Sequence, residues 1–255
     1  MNLRTLFVTT LAALLAGCST LPASEGWSRA REAAVAAARD PWVWGPLAGA
    51  AALQVGNADH RISRWAVRET PVFGSTTHAA AASDTLRSVA VVADAAVVLM
   101  EPRQEGSRNG FEDKALNYVE DLAAATVAIG ATHVLKSATA RQRPSGQDNE
   151  SFPSGHVTIA ATYDRLAAMR LQRFNADPAL TSGLGYGLDA VSFATAWARI
   201  EAGAHYPSDT LAGLAIGAFS ARFFAEALRG DASPRAALGV APQRGGLQLS
   251  WRVVF

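Results

Sequence analysis

The sequence predicts an all-α protein, a helical bundle carrying a short C-terminal β-hairpin. Three observations carry this: apolar residues recur at helical spacing over long stretches, loops rich in Gly, Pro, Asn and charge separate those stretches, and only the last residues alternate apolar with polar. At 255 residues, with 49% hydrophobic and 18% charged residues, the chain can bury one sizeable core. A formal net charge of +1 leaves no global field to attract nucleic acid, so no nucleic-acid partner is expected. No internal repeat is visible.

The first element is a targeting segment. Arg4 supplies a positive start, Leu6 to Ala16 an apolar run too short to span a bilayer, and Leu15-Ala16-Gly17-Cys18 a small-residue cleavage site ending on the one cysteine. Residues 1–17 thus read as a signal peptide. The segment 15–18 resembles a bacterial lipobox, which implies cleavage before Cys18, lipid on its thiol and acylation of the new amine. Ser19 after that cysteine resembles the sorting pattern of outer-membrane lipoproteins facing the periplasm. Each buried methylene contributes about 0.8 kcal/mol, so a triacylated cysteine would anchor stably. Losing residues 1–17 removes one charge, Arg4, and leaves 22 basic against 22 acidic residues, with no disulfide.

Residues 18–26 read as a tether and 27–230 as the helical domain. Trp27 to Arg39 is an Ala-rich amphipathic helix stopped by Pro41. Further helices are expected near Trp42 to Val55, Asp84 to Met100, Asp113 to Ala140, Gly155 to Arg173, Leu184 to Ile200 and Pro207 to Leu228. Pro102 to Gly110, Gln142 to Glu150 and Asn175 to Gly183 read as loops. Charges such as Asp94, Asp164, Arg165, Arg170, Asp189 and Arg199 interrupt the helices. The longest clean interior run, Leu122 to Leu135, has fourteen residues, short of the roughly 20 that a span requires. Trp42 to Ala58 is weakened by Pro46, Gln54 and Asn57. The expectation is therefore a soluble bundle held at a membrane by its lipid.

Residues 231–255 differ. Leu247, Leu249, Trp251, Val253 and Phe255 alternate with Gln248, Ser250 and Arg252, the pattern of a half-buried strand. Ala236 to Ala241 could pair with it across a turn at Gln243 to Gly246. Such a hairpin would pack on the bundle, or offer its unpaired edge to a membrane protein partner.

Three clusters carry the chemistry. Lys136 is followed seven positions on by Arg143-Pro144. On a continuous helix the two cations would share a face about 10 Å apart, but Pro144 disfavours helical geometry at Arg143 and turns it out of the helix. An ammonium and a guanidinium suit phosphate as a point charge and a bidentate fork. Next, Pro153-Ser154-Gly155-His156 opens a helix with Ser154 as N-cap. Free amides, the helix dipole and the missing side chain at Gly155 make an anion site with His156 at its rim. Finally, Arg199, His205 and Asp209 flank Pro207, which fits a first helical turn. There Asp209 can accept from one imidazole nitrogen of His205 and leave the other free to attack phosphorus, or it can cap the helix.

In order and spacing these clusters, spanning Lys136 to Asp209, resemble the signature of the type 2 phosphatidic acid phosphatase family, which includes class A acid phosphatases and vanadium haloperoxidases. The resemblance implies a helical core and a metal-free reaction. Lys136, Arg143 and Arg199 would bind phosphate oxygens with the amides near Ser154 and Gly155. His205 would attack to give a phosphohistidine, Asp209 would orient it, and His156 would protonate the leaving group and then activate water. Ala198 departs from the pattern, which has serine before the arginine. His60, His78 and His133 match no family position, and His133 reads as a core histidine.

The expected function is a metal-independent, acid-phosphatase-like hydrolase acting on phosphate monoesters or pyrophosphates of small molecules or lipids. A vanadate-dependent haloperoxidase, in which vanadate would be the cofactor, and a non-catalytic lipoprotein binding phosphate or a partner are the alternatives. Pocket walls would come from Phe73 to His78 and Pro102 to Phe111, where the sequence names no leaving group.

Overall fold

The computed structural model describes residues 23–102, 110–174, 176–229, 235–243 and 246–254. Its helices are α1 (Ala23–Arg39), α2 (Pro41–Ala52), α3 (Ala58–Glu69), α4 (Thr76–Met100), α5 (Gly110–Thr139), α6 (Gly155–Leu171), α7 (Pro178–Glu201) and α8 (Pro207–Arg229). The expected signal peptide, the lipidation site Cys18 and the tether as far as Pro22 lie outside the described residues, as does most of the loop from Pro102 to Gly110. Helix α1 begins at Ala23, inside the stretch expected to be tether.

Local signals explain most helix starts. The Asp40 carboxylate accepts from the Trp42 amide at 2.9 Å with Pro41 in the first turn of α2. Asp177 does the same for α7, accepting from Ala179 at 2.7 Å ahead of Pro178. Ser75 caps α4 through the His78 amide at 3.0 Å, so this helix starts well before the expected Asp84. Helix α3 was not expected. Of its charge-rich sequence it buries only Asp59, Ser63 and Ala66, so the inward face is small or polar and offers no apolar period to read.

Helix α6 is the centre of the bundle, packed against α4, α5, α7 and α8 and buried along most of its length. The core is built chiefly from alanines, such as Ala90, Ala124, Ala160, Ala167 and Ala221. Small side chains let backbones approach. A Cβ at Gly213 would lie 2.8 Å from the Ser154 carbonyl, and one at Gly217 would lie 2.7 Å from both Ala161 Cβ and the Thr158 carbonyl. Glycine at these two positions thus seats α8 directly on the first turns of α6 and brings both helix N-termini to one end of the bundle.

Polar groups are buried with their partners. Arg170 of α6, wholly buried, reaches Asp94 of α4 at 3.1 Å, Asp121 of α5 at 2.8 Å and Glu101 at 3.4 Å. Asp164 accepts from the Ser192 hydroxyl at 2.5 Å, and burial pushes its carboxyl up to about 7. These charges explain why α6 looks interrupted in sequence, since they pair inside the bundle. Among the described helices α8 alone is long and apolar enough to cross a membrane, and half of that stretch is buried against its neighbours.

The expected fold class needs correction at its second half. The fold is all-helical, and the hairpin is no part of the helical core that defines it. Residues 235–243 and 246–254 follow the last helix as two strands paired antiparallel, with Arg235 opposite Val254 and Gln243 opposite Gly246. The first strand touches α5, and two strands by themselves are too few to form a core of their own.

Candidate active site

The three clusters converge where the N-termini of α6 and α8 meet the C-terminal ends of α5 and α7. Lys136 sits in the last turn of α5 and bonds the Glu150 carbonyl. The helix ends at Thr139, Ala140 takes a positive φ of 42°, and Arg143 lies in the loop that follows, as Pro144 requires. Arg143 bonds Asp148 at 2.6 Å through Nε and the Ala204 carbonyl at 3.2 Å through Nη1, which also lies 3.5 Å from His205 Nε2. Arg199 closes α7, and its carbonyl accepts from the amides of Ala204 and His205, tying cation and histidine together.

His205 is buried, with 2% exposure. Its Nδ1 lies 2.5 Å from the Ser151 carbonyl. A carbonyl only accepts, so Nδ1 carries the proton and the Nε2 lone pair faces Arg143 Nη1. Burial, and then Arg199, Lys136 and Arg143, hold the imidazole well below its usual pKa, so it stays neutral. That is the state of a nucleophile. Around it the cations are themselves in tension. Burial, with Arg143 nearby, pushes the Arg199 guanidinium down to about 10, and Lys136 is lowered by burial and Arg143. Arg199 Nε finds no hydrogen-bond partner among the described residues. A partly buried guanidinium with an unused N–H is a receptor for an oxyanion.

Helix α4 supplies groups that the sequence did not announce. Asp84 Oδ1 lies 2.7 Å from His156 Nε2, and the adjacent Ser83 accepts from Arg199 Nη1 at 3.3 Å. Burial and Arg199 lower the His156 pKa while the Asp84 hydrogen bond raises it against them. Asp84 is in turn held low by His156. Glu201, fully buried, accepts from the amides of Val72 and Phe73 and from Trp197 Nε1, pinning the 70–75 loop beside Arg199. A lone acid in an alanine-rich run was the one sequence signal for Asp84.

Several expectations change. Ser154 stands at the N-cap position of α6 in extended geometry, but its side chain makes no cap bond. Its amide is already used, donating to the Asp209 carbonyl at 3.0 Å, so it is not free for an anion. The Ser154 hydroxyl is instead buried without a partner among the described residues, and the Gly155 amide belongs to the first turn, which has no intrahelical acceptor. Asp209 does not take the His205 proton in a hydrogen bond. Its carboxylate accepts from Ser151 Oγ at 2.5 Å, Arg141 Nη1 at 2.6 Å and the Tyr206 amide at 2.8 Å. The Ser151 carbonyl reaches the imidazole first and displaces it from that role. His133 is exposed rather than core, His60 stacks on Tyr206 at 4.5 Å, and Ala198 is buried.

A family comparison matches this region: the model of the PAP2 superfamily covers residues 117–230. The PAP2 segment holds Lys136, Arg143, His156, Arg199, His205 and Asp209, whereas Asp59, Ser83 and Asp84 come from helices before it. Among solved structures, the chain is similar to one described as the first transmembrane PAP2 type phosphatidylglycerolphosphate phosphatase from Bacillus subtilis, at 20% identity and a TM-score of 0.53. That match covers 72% of this chain and 92% of the other, so the likeness of fold extends beyond the PAP2 segment. No curated protein matches the sequence.

Proposed function

We propose that this protein is a phosphatase that cleaves phosphate monoesters or diphosphates through a phosphohistidine on His205. The PAP2 superfamily match over residues 117–230 and a fold shared with a phosphatase support the phosphatase reading. The observation that carries the mechanism is the geometry of His205, its Nε2 turned to Arg143 and its Nδ1 locked on a carbonyl.

Nε2 attacks phosphorus, the bond from phosphorus to the leaving oxygen breaks, and that oxygen takes a proton from His156. Water then attacks the phosphohistidine, His156 takes the proton, the P–N bond breaks and phosphate leaves. An imidazolium held by Asp84 at Nε2 carries its transferable proton at Nδ1. Lys136, Arg143 and Arg199 gather charge around the phosphoryl oxygens, the largest source of stabilisation for such a transition state. Ser154 Oγ and the Gly155 amide are further donors.

The test is phosphate release from a panel of lipid and soluble phosphates in excess chelator, with rapid quenching to trap the intermediate. Expected are undiminished turnover and an acid-labile, alkali-stable phosphoenzyme. Turnover that disappears with the chelator would overturn the metal-independent reading. The Asp84 contact carries its own prediction: Asp84→Asn lowers kcat for an alkyl phosphate about tenfold or more, since general acid catalysis contributes 10²–10⁴-fold. It leaves p-nitrophenyl phosphate, whose leaving group needs little protonation, within about threefold. Equal losses on both esters would remove Asp84 from the proton-transfer step.

Membrane association fits the same reading. It is supported by the lipobox resemblance at Cys18, by exposed tryptophans Trp27, Trp44 and Trp65 on α1 to α3, and by the apolar α8. A lipid anchor at Cys18 would place the site beside lipid-linked phosphates.

A further inference from the structure

Asp59 and Arg141 lie outside the motif positions, yet they are joined to the nucleophile by an unbroken set of short contacts. Asp59, with 1% exposure, accepts from the Ser208 amide at 2.8 Å through Oδ1. Its Oδ2 accepts from Ser208 Oγ at 2.6 Å and Arg141 Nη2 at 2.7 Å. The other guanidinium nitrogen of Arg141 reaches Asp209 Oδ1 at 2.6 Å and Ser208 Oγ at 2.9 Å. Asp209 Oδ2 takes the Ser151 hydroxyl, and the Ser151 amide returns to the Arg141 carbonyl at 2.9 Å. The Ser151 carbonyl then holds His205 Nδ1. Arg141 also covers the Tyr206 ring at 4.1 Å. Both chain neighbours of the nucleophile, at Ala204 through Arg143 and at Tyr206 through Arg141, are therefore gripped by arginine.

We infer that His205 is aimed by this chain, Asp59 to Arg141 to Asp209 to Ser151, so that Asp59 and Arg141 are positioning residues and Asp209 acts on the imidazole through Ser151. One guanidinium shared by two buried carboxylates leaves no slack in the set. Asp59 lies in α3, before the PAP2 segment, so the nucleophile's orientation depends on a helix the motifs do not contain. The inference rests on the phosphohistidine reading of His205.

A double-mutant cycle on the full chain tests it, with p-nitrophenyl phosphate as substrate and active sites counted by the phosphoenzyme burst. Asp59→Asn keeps the shape and loses the charge; Ser151→Ala removes only the hydroxyl. Each is expected to lower kcat about tenfold with KM within about twofold, because a misaimed nucleophile costs rate rather than affinity. The two residues do not touch, so independent effects would multiply to about a hundredfold. Action as one chain instead leaves the double variant within about threefold of the worse single. Multiplying losses, losses confined to KM, or unchanged kcat in both singles would overturn the chain. A wild-type protein that turns over without a trapped phosphoenzyme would overturn the His205 reading itself, a separate result from any of these.

Discussion

His205→Ala is expected to release no phosphate above background, a fall in kcat on the order of 10³-fold or more, as for loss of a covalent nucleophile. Among the three cations of the site, His205 turns the Nε2 of a neutral imidazole toward Arg143, its Nδ1 held by the Ser151 carbonyl. Lys136, Arg143 and Arg199 serve as cations rather than nucleophiles. His156 is committed to Asp84. Phosphate binding should survive, since the three cations stay, so the variant should still bind inorganic phosphate by calorimetry while forming no phosphoenzyme. Substantial turnover in this variant would sink the mechanism. Because a buried ring is deleted, His205→Gln serves as the second variant and should be equally inactive with less loss of stability.

The second large effect is on the fold. Arg170→Met should destabilise the protein by about 3–5 kcal/mol, the cost of leaving a buried partner charge uncompensated. Arg170 is enclosed by Asp94, Asp121 and Glu101, and the two aspartates are as buried as the arginine itself. Removing the guanidinium strands carboxylates from three places around the bundle centre. Urea denaturation should show the midpoint falling with little change in slope. Adding Asp94→Asn and Asp121→Asn to Arg170→Met should recover much of the loss. A midpoint that is unchanged in Arg170→Met would show that the network contributes nothing net to stability.

Both predictions use parts of the molecule that were unequally legible. Most helices could be read because their apolar faces recur at helical spacing, and Pro207 marked a start, whereas the stretch 175–183, expected as a loop, holds the start of α7 at Pro178. Helix α3 could not, because its buried face is Asp59, Ser63 and Ala66, and polar burial leaves no hydropathy trace. The C-terminal alternation read as a hairpin packed on the bundle, but alternation states only that a strand could be half buried, not that a face awaits it.

The site divides along the same line. Sequence alone determined the chemistry on offer: three cations, two imidazoles and a carboxylate at spacings that place them on helix ends, with Pro144 forcing Arg143 out of its helix. Tertiary structure decided who serves whom. His156 meets a carboxylate 72 positions away, at Asp84, and Ser208 meets one 149 positions away, at Asp59. Asp209, close to His205 in sequence, is drawn off by Arg141 and Ser151 instead. Spacing along one helix sets which groups share a face, but a buried hydrogen bond goes to whatever partner packing brings within reach. Here glycines in α8 and alanines in α6 set that packing.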